Sequence, residues 1–345
     1  MSCWRCLVAL LLTHNCKKRC KNLCILVSLC FASTGATAAE KPFLRLEESI
    51  EAMGTTYSIV LYGEDRYQMR NAAEQAFEEV RRLDQLLSNY RPESEWSMMN
   101  RLAAQQPVKV SAELFQLLSA CQEWWRLSQG AFDISVGALM RVWGFYKGTG
   151  RLPHRAEIRQ ALERVGWRHV RLDPQTGMVH FLRSGVELDP GGIGKGYAVD
   201  RMVSILQHNG IRQAMVSAGG SSIYGLGAPP GEPRGWRVSI RDPRNPDSTI
   251  EQVFLRNGSL STSGTYEKFF RAEGRIWSHI MDPRTGYPAQ GMLSVSVLAP
   301  KTVDSEAWTK PVFINGRRWA SKHLPAPLRA FVCEDNTNKS CEWLQ

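Results

Sequence analysis

Two spacings of apolar residues predict the helices and strands of this chain. In several segments an apolar residue recurs every three or four positions, which is the period of an amphipathic helix. We therefore predict helices at 66–88, 111–129, 155–165 and 197–208, and a late one that starts near Ser305. Other segments place an apolar residue at every second position, the period of a half-buried strand. We predict strands at 55–61, 179–182, 214–218, 236–240, 276–281 and 295–297.

The order of these elements favours the α+β class. Helices and strands are interleaved, but several strands follow one another closely enough to be joined as hairpins. No convincing linker follows residue 40. We therefore expect one domain over residues 40–345, with mixed or antiparallel sheets flanked by helices, rather than a doubly wound parallel sheet.

Residues 1–39 have the pattern of an export signal. A basic stretch at 17–21 precedes an apolar run at 23–32, which is too short to span a bilayer. The small residues Ala36-Thr37-Ala38 then resemble a cleavage site. The pattern predicts a periplasmic protein with a signal peptide, and the alternative is an uncleaved segment that associates with the inner membrane.

Composition and charge narrow the class of protein. Of the 345 residues 43% are hydrophobic and 22% are charged, which is typical of a globular protein. The net charge is +10, but five of the positive charges lie before residue 40, so no nucleic-acid partner is expected. Cys333 and Cys341 could close a short loop in an oxidising compartment, and Cys121 has the setting of a buried apolar residue.

A glycine-rich turn is the first candidate for binding chemistry. Residues 189–196 read Asp-Pro-Gly-Gly-Ile-Gly-Lys-Gly and lead into a predicted helix. Glycines let backbone N–H groups approach an anion, and Lys195 at the helix start can reach a phosphate. The alternative is a tight strand-to-helix turn that needs glycine only for its backbone.

Two hydroxyl-rich segments and one tyrosine are weaker candidates. Residues 219–222 and 261–266 are predicted to be loops whose small hydroxyl side chains could bind ribityl or phosphate oxygens, or could simply form turns. Tyr90 lies in a polar loop, where it could stack on a flat ring or be an ordinary surface tyrosine.

The late helix carries two oxygen ligands on one face. Glu306 and Thr309 are three positions apart and would suit Mg²⁺ together with a backbone carbonyl from elsewhere. The alternative is helix capping, with Ser305 at the N-cap and Glu306 in the first turn.

A histidine lies at the end of a predicted strand. Residues 278–286 read Ser-His-Ile-Met-Asp-Pro-Arg-Thr-Gly, so His279 has polar neighbours and a turn close behind it. A lone histidine in a strand is usually structural, but this position at a strand end is also suited to a general base.

Taken in order, these segments resemble the FAD:protein FMN transferase (ApbE) family. The resemblance covers roughly residues 45–320. The segments that carry it are Met53 to Thr55, Ser88 to Arg91 with Ser94 and Glu95, Ala131 to Ser135, Asp189 to Asp200, Ser261 to Gly264 and His279 to Gly286.

The resemblance implies an activity and a site. Family members bind FAD, use Mg²⁺, cut the pyrophosphate and transfer FMN to a threonine or serine hydroxyl of an acceptor flavoprotein, releasing AMP. The metal is implied at the carbonyl of Gly192 and the side chains of Glu306 and Thr309, and His279 could orient or deprotonate the hydroxyl. The residues implied to touch FAD are Met53, Tyr90, Ala131, Phe132, Asp133, Asp189, Lys195 and His279.

The chain departs from the family pattern near the implied metal. The family helix usually reads Asp-Ala-x-x-Thr, whereas here Glu306 takes the aspartate position and Lys310 the threonine position. Thr265 also stands where many members carry aspartate. The ammonium group of Lys310, beside the implied metal site, could partly replace a cation or repel it. Two alternatives follow: a non-catalytic periplasmic FAD-binding protein, or a pyrophosphatase that splits FAD to FMN and AMP.

Overall fold

The alternating segments of the sequence meet in one eight-stranded antiparallel sheet. The computed structural model describes residues 43–245, 247–336 and 341–344, so the predicted export signal lies outside the described residues. In spatial order the strands, numbered along the chain, are β1 (Leu44–Ala52), β2 (Thr55–Gly63), β6 (Gln213–Ala218), β7 (Ser222–Leu226), β10 (Gly258–Gly264), β13 (Met292–Ala299), β14 (Arg329–Glu334) and β15 (Glu342–Leu344).

Three small antiparallel sheets complete the β structure of the described residues. One contains β3 (Val108–Lys109), β4 (Val170–Asp173) and β5 (Met178–Phe181). The other two are hairpins, β8 (Trp236–Arg241) with β9 (Thr249–Leu255), and β11 (Phe269–Ala272) with β12 (Arg275–Ser278). Together with the helices, these antiparallel sheets confirm the predicted α+β class.

Eight α-helices accompany these sheets in the described part of the chain. They are α1 (Arg66–Leu87), α2 (Glu95–Leu102), α3 (Ala112–Leu127), α4 (Gly137–Val142), α5 (Arg155–Leu162), α6 (Gly194–His208), α7 (Thr302–Asn315) and α8 (Arg317–His323). The sequence did not predict α2, α4 and α8, which have eight residues or fewer, because about two turns show a helical period only weakly. None of the described helices is long and apolar enough to cross a membrane.

The large sheet is covered on both faces. The helices α1, α6 and α7 pack on one face, and the β8–β9 hairpin packs on the other. Strand β6 shows the alternation: Ala214, Val216 and Ala218 face the helices, whereas Met215 packs against the hairpin side. At the far edge, Cys333 of β14 forms a disulfide with Cys341.

Strand β10 corrects the loop that the sequence predicted at 261–266. Its small hydroxyl residues lie in the middle of the sheet and face α7. Ser259 and Ser261 place their Oγ atoms 3.0 and 2.7 Å from Ser305 Oγ, and Ser263 Oγ lies 2.8 Å from Thr309 Oγ1. Short side chains let the helix approach the strand closely, and their hydroxyls satisfy one another where water is excluded.

The start of α7 also differs from the prediction. The helix begins at Thr302, so Ser305 is not its N-cap. The carboxylate of Asp200, on α6, accepts hydrogen bonds from the N–H groups of Thr302 at 2.7 Å and Val303 at 2.9 Å. A carboxylate at a helix N-terminus satisfies free N–H groups and complements the helix dipole. The cap comes from a distant residue, so a local pattern could not reveal it.

Gly196 brings α6 against α7. Its N–H donates to Glu306 Oε2 at 2.5 Å. A Cβ atom at this position would lie 2.5 Å from the carbonyl oxygen of Thr302 and 2.9 Å from Glu306 Oε2. Because both atoms belong to the facing helix, only glycine permits this approach.

We therefore predict that Gly196→Ala destabilises the protein. The added methyl group must push α7 away, which should lower the free energy of unfolding by about 2 kcal/mol. Urea unfolding followed by circular dichroism measures this change. The matched control is Gly258→Ala in β10, where the new Cβ would meet its nearest atom at 3.5 Å, an ordinary contact. Equal stability of the two variants would contradict the prediction.

Candidate active site

Asp189 organises the glycine-rich turn that precedes α6. Its Oδ1 accepts a hydrogen bond from the N–H of Gly191 at 2.6 Å, and its Oδ2 accepts one from Asn89 Nδ2 at 3.3 Å. The carboxyl group is almost completely buried, and burial raises its pKa. The turn continues through residues 190–192 as one turn of 3₁₀-helix before α6 begins at Gly194. Asp189 therefore fixes the backbone of the turn for which the sequence predicted either phosphate binding or a purely structural role.

Two further loops meet the start of α6. Lys195 donates from Nζ to Ser221 Oγ at 2.5 Å, in the turn between β6 and β7. Met53 lies in the turn between β1 and β2 with a φ of 51°, and its Cε is 3.4 Å from the position a Cβ on Gly194 would take. The structure thus brings Met53, Lys195 and the glycine-rich turn together, as the resemblance implied.

Glu306 is a buried carboxylate on the second turn of α7. It is 2% exposed, and its Oε2 is held by Gly196. Its other oxygen, Oε1, is buried and has no hydrogen-bond partner among the described residues. Burial, with the charge of Glu306 as a second cause, raises the pKa of the neighbouring Tyr57. A cation or a strong donor nearby is needed to compensate this negative charge.

Lys310 lies one helical turn beyond Glu306 and supplies a nearby positive charge. Its Nζ donates to the carbonyl oxygen of Glu306 at 2.9 Å. Its Cε lies 3.6 Å from the position a Cβ on Gly192 would take. Burial lowers the pKa of Lys310 to about 8, Glu306 opposes that shift and Lys195 adds to it. Two ammonium groups and one carboxylate therefore meet beside the glycine-rich turn.

The residues predicted to hold Mg²⁺ do not fit that ion well. Thr309 donates from Oγ1 to the carbonyl of Glu306 at 2.7 Å and contacts Ser263 Oγ, so its hydroxyl faces β10. Only the Gly192 carbonyl and one buried oxygen of Glu306 remain, so water and substrate phosphate would have to supply the rest of the octahedron of oxygen ligands that Mg²⁺ requires. Within the described residues no group of three His, Cys, Asp or Glu could hold a metal ion. Lys310 instead lies against Gly192.

His279 follows β12 and has a defined tautomer. Its Nδ1 lies 3.2 Å from the carbonyl oxygen of Lys268. A carbonyl can only accept, so Nδ1 carries the proton and the neutral ring keeps a free electron pair on Nε2. Burial lowers the pKa of His279 to about 4, and the charges of Lys268, Lys310 and Lys195 contribute to the shift. His279 is therefore a neutral imidazole that faces a positively charged site.

Asp282 and Arg284, which follow His279 in the sequence, form an ion pair. Arg284 donates from Nε and Nη2 to the carboxylate of Asp282 at 2.9 and 3.0 Å. Trp143 donates from Nε1 to the carbonyl of Gly286 at 2.9 Å. These contacts hold the turn that follows His279, and the charges of Asp282 and Arg284 compensate each other there.

Two tyrosines form an aromatic wall near Asp189. Tyr90 is 68% exposed. Its ring packs edge-on against the ring of Tyr146, and the two ring centroids are 6.1 Å apart. Sequence reasoning missed Tyr146, which lies in a short helical turn between two glycines with positive φ, Gly144 and Gly148. That pair of glycines around Phe-Tyr was the available signal. The exposed face of Tyr90 can stack on a flat ring.

The segment from Ala131 to Asp133 lies next to the glycine-rich turn. Phe132 is buried, and its Cε2 lies 3.8 Å from the position a Cβ on Gly192 would take. Asp133 accepts hydrogen bonds from the Ser135 N–H at 2.8 Å, the Ser135 hydroxyl at 2.6 Å and the Trp167 N–H at 2.9 Å. Its carboxylate is thus committed to the protein, although the residue also lines a cleft of about 460 Å³.

The fold and the site define the class of this protein: the chain belongs to the ApbE family, whose family model matches residues 53–330. It is similar to an FAD:protein FMN transferase of Klebsiella pneumoniae, with 32% identity over 76% of this chain and 79% of the relative. It is also similar to an FAD:protein FMN transferase of Treponema pallidum, with 31% identity over 85% and 84% of the two chains.

Solved structures show the same fold. The crystal structure of the ApbE protein from Thermotoga maritima superposes with a TM-score of 0.79 at 31% identity, over 87% of this chain and 96% of that one. The apo form of the flavinyl transferase ApbE from Pseudomonas stutzeri gives a TM-score of 0.77 at 25% identity, over 88% and 95%. The resemblance read from the sequence is therefore confirmed.

We predict that His279 makes the fold sensitive to acid. The unfolded chain protonates this histidine near pH 6.5, whereas the folded protein does so only near pH 4. As the pH falls between these values, the unfolded state gains a proton that the folded state does not, so stability is lost. His279→Gln should therefore lose less stability than the wild type between pH 7 and pH 5, measured by urea unfolding.

The control for this comparison is His208→Gln, which removes an exposed imidazole from the end of α6. A wild-type pH dependence in His279→Gln would contradict the prediction.

Proposed function

We propose that this protein transfers FMN from FAD to a threonine or serine hydroxyl of an acceptor protein and releases AMP. Membership of the ApbE family and the names of its relatives support the flavin transferase activity. The observation that carries the proposal is that Lys195 and Lys310 lie at the glycine-rich turn, and that the charges of both lower the pKa of His279. FAD is the substrate here.

The site suits both parts of FAD. The pyrophosphate carries two negative charges and would lie where Lys195, Lys310 and the N-terminus of α6 face it. Tyr90 offers an exposed aromatic face to a flat ring. Lysine and backbone donors hold a phosphate by charge and hydrogen bonding without requiring a covalent intermediate.

The proposed step is an in-line displacement at phosphorus. The acceptor hydroxyl oxygen bonds to the phosphorus of the FMN half, while the bond from that phosphorus to the bridging oxygen breaks. AMP leaves with the bridging oxygen, and the hydroxyl proton passes first to His279 Nε2 and then to solvent. Phosphoryl transfer depends mainly on positioning and charge neutralisation, so a weakly basic histidine suffices if it orients the hydroxyl.

The place of this reaction in the cell follows from the N-terminal segment. The basic and apolar runs before residue 40 support export to the periplasm, with the N-terminus as a cleaved signal or an inner-membrane anchor. The Cys333–Cys341 disulfide is consistent with an oxidising compartment. The acceptor would then be an exported flavoprotein with an accessible threonine or serine.

A second candidate function rests on Lys310. The family resemblance also implies a magnesium-dependent reaction, and the contacts of Thr309 and Lys310 weaken that expectation. A protein that had lost its metal could bind FAD without reacting, or could pass FMN to water as a pyrophosphatase. These alternatives share the site but differ in their products.

Product analysis distinguishes the three activities. We predict that the full-length protein, incubated with FAD and the cell-envelope proteins of its own organism, yields a flavin-fluorescent band on a denaturing gel. Mass spectrometry should locate FMN on a threonine or serine, and chromatography should show an equal amount of AMP. His279→Gln should slow the transfer by about 100-fold.

Two other outcomes would contradict the transferase. Free FMN and AMP without a labelled protein would show a pyrophosphatase. Intact FAD that stays bound to the protein would show a non-catalytic carrier. His208→Gln serves again as the control for the loss of an imidazole.

A further inference from the structure

Lys310 occupies the position where the implied metal site should be completed. It stands where the family pattern usually has threonine, one helical turn after Glu306. Its stem packs on Gly192, whose carbonyl is another implied ligand, with Cε 3.6 Å from the position a Cβ there would take. The lysine therefore lies next to Gly192 and bonds to the backbone of Glu306, two of the three residues that the resemblance assigns to the metal.

The Lys310 ammonium can still bind an anion. An ammonium group has three hydrogen-bond donors, and one of them is used by the carbonyl of Glu306 at 2.9 Å. The electrostatic influence of Lys310 extends to Lys195 and to His279. A pyrophosphate held by Lys195 at the start of α6 would thus lie beside Lys310 as well.

The charges at the site leave little room for a divalent cation. Lys195 and Lys310 contribute two positive charges, and Glu306 contributes one negative charge, with Oε2 held by Gly196 and Oε1 without a hydrogen-bond partner among the described residues. A Mg²⁺ ion placed here would be repelled by both ammonium groups, and each repulsion would be twice that of a pair of unit charges at the same distance. Thr309, the other implied side-chain ligand, has its hydroxyl committed to Ser263 and Glu306.

We propose that the ammonium group of Lys310 takes the place of the divalent cation at the FAD pyrophosphate, so that this protein binds and uses FAD without a metal. This inference rests on the proposed function, because it concerns the same substrate at the same site. Lys310 donates hydrogen bonds to pyrophosphate oxygens and neutralises the charge that develops on the departing AMP. It keeps its proton, and the step needs no further reactant.

The first test measures binding rather than catalysis. FAD and riboflavin are titrated into the full-length protein, with flavin fluorescence as the readout, in EDTA and in excess Mg²⁺. Riboflavin lacks the pyrophosphate and reports the ring site alone. We expect the same FAD affinity in both buffers. An FAD affinity that falls tenfold or more in EDTA, and returns with Mg²⁺, would overturn the proposal.

A charge-removing variant tests the lysine itself. Lys310→Met keeps most of the side-chain length and removes the charge, so FAD affinity should fall at least about tenfold while riboflavin affinity stays unchanged. Lys322→Met, an exposed lysine on α8, is the matched control. Wild-type FAD affinity in Lys310→Met would overturn the proposal, provided that circular dichroism shows a folded protein.

The reverse substitution tests whether the lysine excludes the metal. The double variant Glu306→Asp with Lys310→Thr restores the usual family pattern. Titration of Mn²⁺, followed by electron paramagnetic resonance in the presence of FAD, should show a bound ion in the double variant and none in the wild type. A bound Mn²⁺ ion in the wild type that Glu306→Gln abolishes would overturn the proposal.

These readouts separate the inference from the proposed function. Metal-independent FAD binding that Lys310→Met weakens supports the role of Lys310 even if no FMN is transferred. In that case only the transferase activity is contradicted. Transfer of FMN that proceeds equally in EDTA and in Mg²⁺ supports both.

Discussion

The hydrogen bond between the Gly196 N–H and Glu306 is the contact on which the site depends. It exists because glycine brings the first turn of α6 against α7, where a Cβ would collide with the Thr302 carbonyl. Asp200 strengthens the same contact by capping α7. Since Lys195 precedes Gly196, and Lys310 follows Glu306 by one turn, this helix pair sets the distance between the two ammonium groups.

Polar contacts within the apolar core fix the position of α7 on the central sheet. Ser261 and Ser263 of β10 face Ser305 and Thr309, and the small hydroxyls pair across a dry interface. Buried hydroxyls are tolerated only when they are hydrogen-bonded, so the spacing of strand and helix is strictly defined. The arrangement also turns the Thr309 hydroxyl toward β10, whereas Glu306 bonds to Gly196 and Lys310 lies near Gly192.

The site combines nearby positive charges with a neutral histidine. Burial and three nearby lysines keep His279 neutral, and its Nδ1 contact with Lys268 leaves Nε2 unprotonated. A positively charged site with a neutral imidazole is suited to a dianionic pyrophosphate and an incoming hydroxyl. Glu306 is the nearby carboxylate that offsets part of this charge, which explains why a buried acid is retained inside the protein.

The sequence by itself determined the α+β class, the long helices, the family and most of the segments that meet at the site. These features depend on local period and on short motifs, which a chain displays before it folds. Only the tertiary structure decided that residues 261–264 form a strand, that Asp200 caps α7, and that Tyr146 lies beside Tyr90. It also decided that Lys310, rather than Thr309, lies against Gly192. Each of these depends on contacts between residues far apart in the chain, and such contacts leave no local pattern.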